Sequence, residues 1–205
     1  MTINTQLKNL VQKKISNFIK KKRKHIKIGI LGTHHSGKTT LGHSLVGALK
    51  SGGIVSGWVG EVARDCPLSI NEETTFYSQI WILNSQINRE IEKQNINEVI
   101  VTDRTVIDNF AYAQRVAKKS KINKRDIEVI ESFVKYWAST YDFLFYLSRL
   151  KIGSDNDMIR AKNEQFQIEI DHNIKNLIKK WNLNVCKVKG KIKERIEIVY
   201  NNLIS

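Results

Sequence analysis

The chain has 205 residues, 41% of them apolar and 26% charged, which fits one compact soluble domain able to bury a core without disulfide or metal staples. It has no run of about 18 apolar residues and no apolar leader ending in small residues, so the expectation is a cytoplasmic protein without a transmembrane segment or secretory signal. The net charge of +14 is uneven, because residues 1–60 carry 11 Lys and Arg and no acid, while the remainder carries 34 − 11 = 23 basic against 20 acidic residues.

Residues 1–25 are expected to form a basic helical extension. Leu7, Val11, Ile15, Phe18 and Ile19 recur at helical spacing, and Lys8, Lys13, Lys14 and the run Lys20 to Lys24 supply the charge. One reading is a helix packed on the domain with a solvated basic face. Others are a tract binding nucleic-acid phosphates through residues 8–27, or a membrane surface. From residue 26 onward the pattern alternates between strand and helix. Ile26 to Leu31 reads as a strand, and a helix from Lys38 to about Leu49 follows a glycine-rich turn. Ile54 to Val59 is the second strand, after the breaker Ser51-Gly52-Gly53. Thr74 to Lys93 reads as a long helix with Phe76, Ile80, Leu83, Ile87 and Ile91 on its apolar face. Glu98 to Thr102 is a third strand, and helices are expected over Val106 to Lys118 and Lys124 to Ser139. Tyr141 to Leu147 is a fourth strand, after which the polar stretch 148–163 shows no apolar period. A helix from Glu164 to Lys180, a strand from Leu183 to Val188 and a helix from Ile192 to Asn202 complete the chain. Such alternation implies an α/β fold with a parallel sheet covered on both faces and ligands gathered at the strand carboxyl ends. Cys66 and Cys186 lack metal or CxxC spacing and are expected to be reduced thiols.

Gly32-Thr33-His34-His35-Ser36-Gly37-Lys38-Thr39 matches G-x-x-x-x-G-K-[ST] in full, between a strand and a helix as the motif requires. Its backbone N–H groups can cradle phosphate, Lys38 can reach the β- and γ-phosphates, and the Thr39 hydroxyl can bind Mg²⁺. Gly32, His35, Ser36, Gly37, Lys38, Thr39 and Thr40 are therefore the expected ATP-binding residues. His34 and His35 are expected to act through their backbone rather than as zinc ligands. Asp103 and Arg104 end an apolar strand, where an acid can hold magnesium and a base can hold an acceptor. Asp103 could instead cap the next helix. Glu61 follows the second strand and can take a proton from an acceptor hydroxyl, or simply pair with Arg64. Arg160 lies in the polar stretch, either as part of an arginine-bearing flap or in an ordinary loop.

These residues together resemble the P-loop nucleoside and nucleotide kinases, including thymidylate kinase and the deoxynucleoside kinases. Glu61 to Arg64, Asp103 to Asn109 and Phe166 to Asp171 also resemble motifs of small kinase-like ATPases. The resemblance implies a three-layer sandwich with a five-stranded parallel sheet in the order 2-3-1-4-5 over residues 26–205, and a lid at about 148–163. It implies ATP and Mg²⁺ as cofactors, Thr39 and Asp103 at the metal, and Lys38, Glu61, Asp103, Arg104 and Arg160 as catalytic residues. Glu61, Arg64, Gln79 and Arg104 would bind a nucleoside or nucleotide acceptor, with Gln79 reading a base edge. A homodimer is compatible with the pattern. A nucleic-acid kinase and a non-kinase regulatory ATPase remain as alternatives.

Overall fold

The computed structural model describes residues 5–21, 25–70, 73–119, 123–148 and 158–204. The strands are β1 (Ile26–Leu31), β2 (Ser56–Val59), β3 (Val99–Asp103), β4 (Phe143–Leu147) and β5 (Cys186–Val188). The helices are α1 (Thr5–Lys21), α2 (Lys38–Ser51), α3 (Phe76–Gln94), α4 (Val106–Lys119), α5 (Lys124–Ala138), α6 (Met158–Lys180) and α7 (Ile192–Ile204), with a 3₁₀ turn at Val62–Asp65. The sheet order is β2-β3-β1-β4-β5, and every pairing is parallel. The expected five-stranded order is borne out.

Alternation along the strands builds two cores. Ile26, Ile28 and Ile30 of β1, Val99 and Val101 of β3, and Phe145 and Leu147 of β4 meet α1, α2 and α7 on one face. Leu31, Leu144 and Tyr146 meet α3, α4, α5 and α6 on the other. Val11 and Ile15 of α1 are 1% and 3% exposed and belong to the first core. The first helix is thus packed on the domain, and Lys13 and Lys20 lie on its exposed side. Side chains at Leu7, Lys8, Ile19 and 21–24 lie outside the described residues.

Three expectations need correction. Lys27 is no part of a surface tract, because it is 2% exposed and its Nζ pairs with Glu90 Oε2 at 3.0 Å. The buried face of α3 is not the stripe from Phe76 to Ile91. Ile91 is 42% exposed, while Gln79, Gln86 and Glu90 are buried beside Leu83 and Ile87. A polar layer under the sheet outcompetes the apolar register there, since buried Lys27 needs a counter-charge. Finally, α6 begins at Met158, so the last part of the polar stretch is helical despite lacking an apolar period.

Glu90 is fully buried and held by hydrogen-bond donors on several sides. Besides Lys27 it accepts from Gln86 Nε2 at 2.9 Å, Trp137 Nε1 at 2.8 Å and Tyr141 Oη at 2.6 Å. Lys27 Nζ also lies 4.4 Å from the Trp137 ring centre and 4.8 Å from that of Tyr141. This cluster ties α3, β1 and the end of α5 together. Glu90→Ala would leave a buried ammonium unpaired and is expected to cost about 3–5 kcal/mol in urea unfolding. Removing the exposed Arg89–Asp65 pair should cost no more than about 1 kcal/mol. Equal losses would mean the buried cluster has no special role in stability.

Candidate active site

The glycine-rich loop leaves β1 at the centre of the sheet. Gly32 has φ 145°, and a Cβ there would fall 2.4 Å from the Leu147 carbonyl oxygen, so the loop can lie this close to β4 only without a side chain. His35 and Gly37 have φ 57° and 87°, which turns successive N–H groups toward a common centre. No side chain caps the start of α2 at Gly37, so its first-turn N–H groups keep the unpartnered donors and partial positive charge that suit an anion. Lys38 is buried and crosses the loop, its Nζ donating to Thr33 O at 2.6 Å and to Ser36 Oγ at 3.4 Å. Burial lowers the Lys38 ammonium to about 8, with the Arg104 charge adding to this and Asp108, Asp103 and Glu61 opposing it. Ser36 is buried, while His35, Thr39 and Thr40 are exposed.

The strand β3 delivers the next residues to the same edge. Thr39 donates its hydroxyl to Asp103 Oδ2, so α2 and β3 bring two hard oxygen donors together. Arg104 has φ 76°, an unusual conformation for a residue with a side chain, and its N–H is held by Ile30 O at 3.0 Å. Its guanidinium donates through Nε to Glu61 Oε1 at 2.6 Å and through Nη1 to Tyr112 Oη at 3.2 Å. Glu61 accepts on its other oxygen from Arg64 Nε at 3.0 Å, while the Arg64 side chain is 73% exposed. Burial alone would raise the Glu61 carboxyl, but the Arg104 charge and hydrogen bond, with help from Arg64 and Lys38, bring it down to about 2. Glu61 thus pairs with Arg64, as one of its expected readings had it, and also with Arg104.

The structure brings together Gly32 to Thr40, Glu61, Asp103 and Arg104. Gln79 is buried on α3, where its amide donates to Thr74 Oγ1 at 2.6 Å, and no hydrogen bond among the described residues joins it to this group. Arg160 lies in the first turn of α6, and its side chain lies outside the described residues.

Asp108, Thr105, Tyr112 and Arg195 were given no individual role from the sequence, and His34 only a backbone one. Asp108, on α4, accepts from Gly32 N at 2.8 Å through one oxygen and from Thr105 N and Oγ1, both at 2.8 Å, through the other. Thr105 in turn accepts from Ile107 N at 3.2 Å, so the pair caps α4 while tethering the phosphate loop. Tyr112 stands one helical turn further along the same face. His34 makes a 3.4 Å contact from Nδ1 to Tyr112 Oη and lies 5.5 Å, centre to centre, from the Phe166 ring of α6. Arg195 of α7 donates from Nη1 to Ser36 O at 3.0 Å. Asp108 sits within a recognisable motif, but spacing alone names no partner 76 residues away.

A family model described as an AAA domain, AAA_28, matches residues 27–195. The chain belongs to that AAA domain family. Among solved structures it is similar to deoxyadenosine kinase from M. mycoides with bound dATP, at TM-score 0.63 and 20% identity, covering 88% of this chain and 100% of that one. It is also similar to NadR protein in complex with NR, at TM-score 0.66 and 16% identity, covering 87% of this chain and 51% of that one. Thymidylate kinase from Ehrlichia chaffeensis gives TM-score 0.58 and 16% identity, covering 88% and 97%. No curated protein matches in sequence. The resemblance to P-loop nucleoside and nucleotide kinases thus holds for the fold. Among the described residues no helix is long and apolar enough to cross a membrane.

Burial, then the charges of Arg104, His35 and Lys38, lowers the His34 imidazole from 6.5 to about 4. The folded state therefore resists protonation here. The stability owed to neutral His34 is fully present above pH 6.5 and is lost as pH falls from there toward 4. Urea unfolding at about pH 7.5 and about pH 5 should show a larger acid loss for the native chain than for His34→Gln. Identical losses would rule out His34 as a source of acid sensitivity.

Proposed function

We propose that the chain transfers the γ-phosphoryl group of ATP to a nucleoside or nucleotide. The observation that carries this reading is the Glu61–Arg104 pair beside the phosphate loop. Holding a nucleotide requires only the loop, whereas a carboxylate and a guanidinium facing it are what an acceptor needs. Thr39 and Asp103 form a hard oxygen pair suited to magnesium, and their contact supports assigning them to it. Bound there, Mg²⁺ would neutralise phosphate charge and help orient the donor.

In this reading Gly32 to Thr40 grip the β- and γ-phosphates and Lys38 exchanges its loop contacts for phosphate oxygens. Arg104 and Arg64 orient the acceptor, and Gln79 meets its base. The acceptor oxygen forms a bond to the γ-phosphorus as the bridging bond to the β-phosphate breaks, and ADP leaves. With a hydroxyl acceptor the proton passes to Glu61, which is ionised at neutral pH. A phosphate acceptor is already anionic and needs no such base. Arg160, at the start of α6, is the candidate for closing over the transferring group and excluding water.

Transfer of label from γ-labelled ATP, with magnesium, to a panel of nucleosides and nucleoside monophosphates tests this. Label is expected on one acceptor class and should fall by about 10²–10³-fold in Lys38→Ala. Glu61→Gln should nearly abolish transfer to a hydroxyl acceptor and leave transfer to a phosphate acceptor unchanged. Label released only as free phosphate would favour a regulatory ATPase.

A nucleic-acid acceptor is a second reading, favoured by Lys13 and Lys20 on the exposed side of α1. Deleting this helix would remove Val11 and Ile15 from the core, so charge removal is the cleaner test. Lys13→Gln and Lys20→Gln together should lower the salt slope of RNA or DNA binding by about 1 for each lysine that neutralises a phosphate. An unchanged slope removes α1 from consideration.

A further inference from the structure

We propose that Arg195 is a positioning residue for the phosphate cradle, fixing the Ser36–Gly37 peptide and locking the β5–α7 turn against it. This rests on the nucleotide-binding reading above but assigns a residue that neither the loop motif nor the strand-end residues include. Arg195 lies in the first turn of α7 and is separated from Ser36 by 159 residues. Its Nη1 donates to Ser36 O at 3.0 Å, and its Nε donates to Gly190 O at 2.8 Å.

The geometry has a direct consequence. No peptide bond among the described residues is cis. In a planar trans peptide the C=O and N–H point to opposite sides. Holding the Ser36 carbonyl outward therefore directs the Gly37 N–H the other way, toward the inside of the loop. Gly37 is at φ 87°, and a Cβ there would lie 2.8 Å from Arg195 Nη1, which puts the guanidinium against the outer surface of the loop. The inner side is held differently. Lys38 Nζ donates to Thr33 O and Ser36 Oγ, contacts it must loosen to reach a phosphate. Arg195 keeps its grip when Lys38 lets go.

The other end of the fork is equally constrained. Gly190 has φ 91°, and a Cβ would come 2.0 Å from Glu194 Oε2. Glu194 accepts from Lys191 N at 2.8 Å and so closes the turn that enters α7. One guanidinium thus joins a built turn to the phosphate loop, using two donors in a fixed plane. A lysine carries a similar charge but cannot span both carbonyls in this way.

The test is competition of Mg·ADP and of AMP against a fluorescent ADP analogue, on the full chain and on Arg195→Ala and Arg195→Lys. Arg195 is half-buried at the surface, so the variants are expected to fold, and a thermal melt checks this. Arg195→Ala should weaken Mg·ADP by about tenfold or more, the size of one charge-assisted hydrogen bond, while AMP is little changed. Arg195→Lys should resemble the alanine variant, because charge without the fork does not hold the peptide. Native-like ADP affinity in either variant would overturn the proposal. An equal loss for ADP and AMP would also overturn it, since that pattern indicates a base contact or general loosening. If the native chain itself fails to bind Mg·ADP, the nucleotide reading falls first and this inference with it.

Discussion

The carboxylate of Asp108 joins the two loops from which the site is built. One oxygen holds the first N–H of the phosphate loop, at Gly32, and the other holds the turn into α4, at Thr105. Asp103 and Arg104 immediately precede that turn, so the carboxylate reinforces a placement that the β1–β3 pairing and the Arg104 N–H bond to Ile30 O already set. Burial pushes the Asp108 carboxyl up, against the pull of Arg104 and Lys38 and of its own hydrogen bonds from Gly32 and Thr105. A buried carboxylate tolerates this position because each oxygen accepts hydrogen bonds and cations stand close by.

Charged side chains of both signs are gathered around the loop. Lys38 and Arg104 are buried cations, and Glu61, Asp103 and Asp108 surround them. Burial, added to by the Arg104 charge, holds the Lys38 ammonium at about 8, still charged for the most part at neutral pH. Glu61 is kept ionised by its arginine partners. The acid at Asp103 suits a cation beside Thr39, while the N–H groups of the loop and the uncapped start of α2 offer positive potential to an anion.

Beneath the site lies a polar layer that the sheet could have done without. Glu90 gathers Lys27, Gln86, Trp137 and Tyr141, and Gln86 also approaches the Arg104 carbonyl at 3.5 Å. Tyr141 Oη accepts from Val106 N at 3.3 Å, at the first turn of α4. The layer therefore touches both sides of the Arg104 turn, where the backbone adopts its positive φ. An apolar layer of the same size would fill the space but offer no hydrogen bonds to that turn.

The sequence by itself determined the strand–helix alternation, the parallel order implied by its resemblance, and the phosphate loop, because each depends on local chemistry. Period-two and period-3.6 patterns, glycines at forced turns and a lysine at the head of a helix are all visible within a short window. It also brought Glu61, Asp103 and Arg104 to the strand ends, since strand polarity alone does that. Helix faces were less legible. On α3 the apolar stripe pointed to Ile91, but the buried side is set by Lys27, a charge on β1 that must be met by Glu90. Only the tertiary structure decided the tethers: Asp108 to Gly32, Arg104 to Glu61 and Arg195 to Ser36. Each joins residues far apart in the chain, and each is a hydrogen bond whose partner depends on which elements pack together. Local sequence sets what a residue can donate or accept, and packing alone sets what it meets.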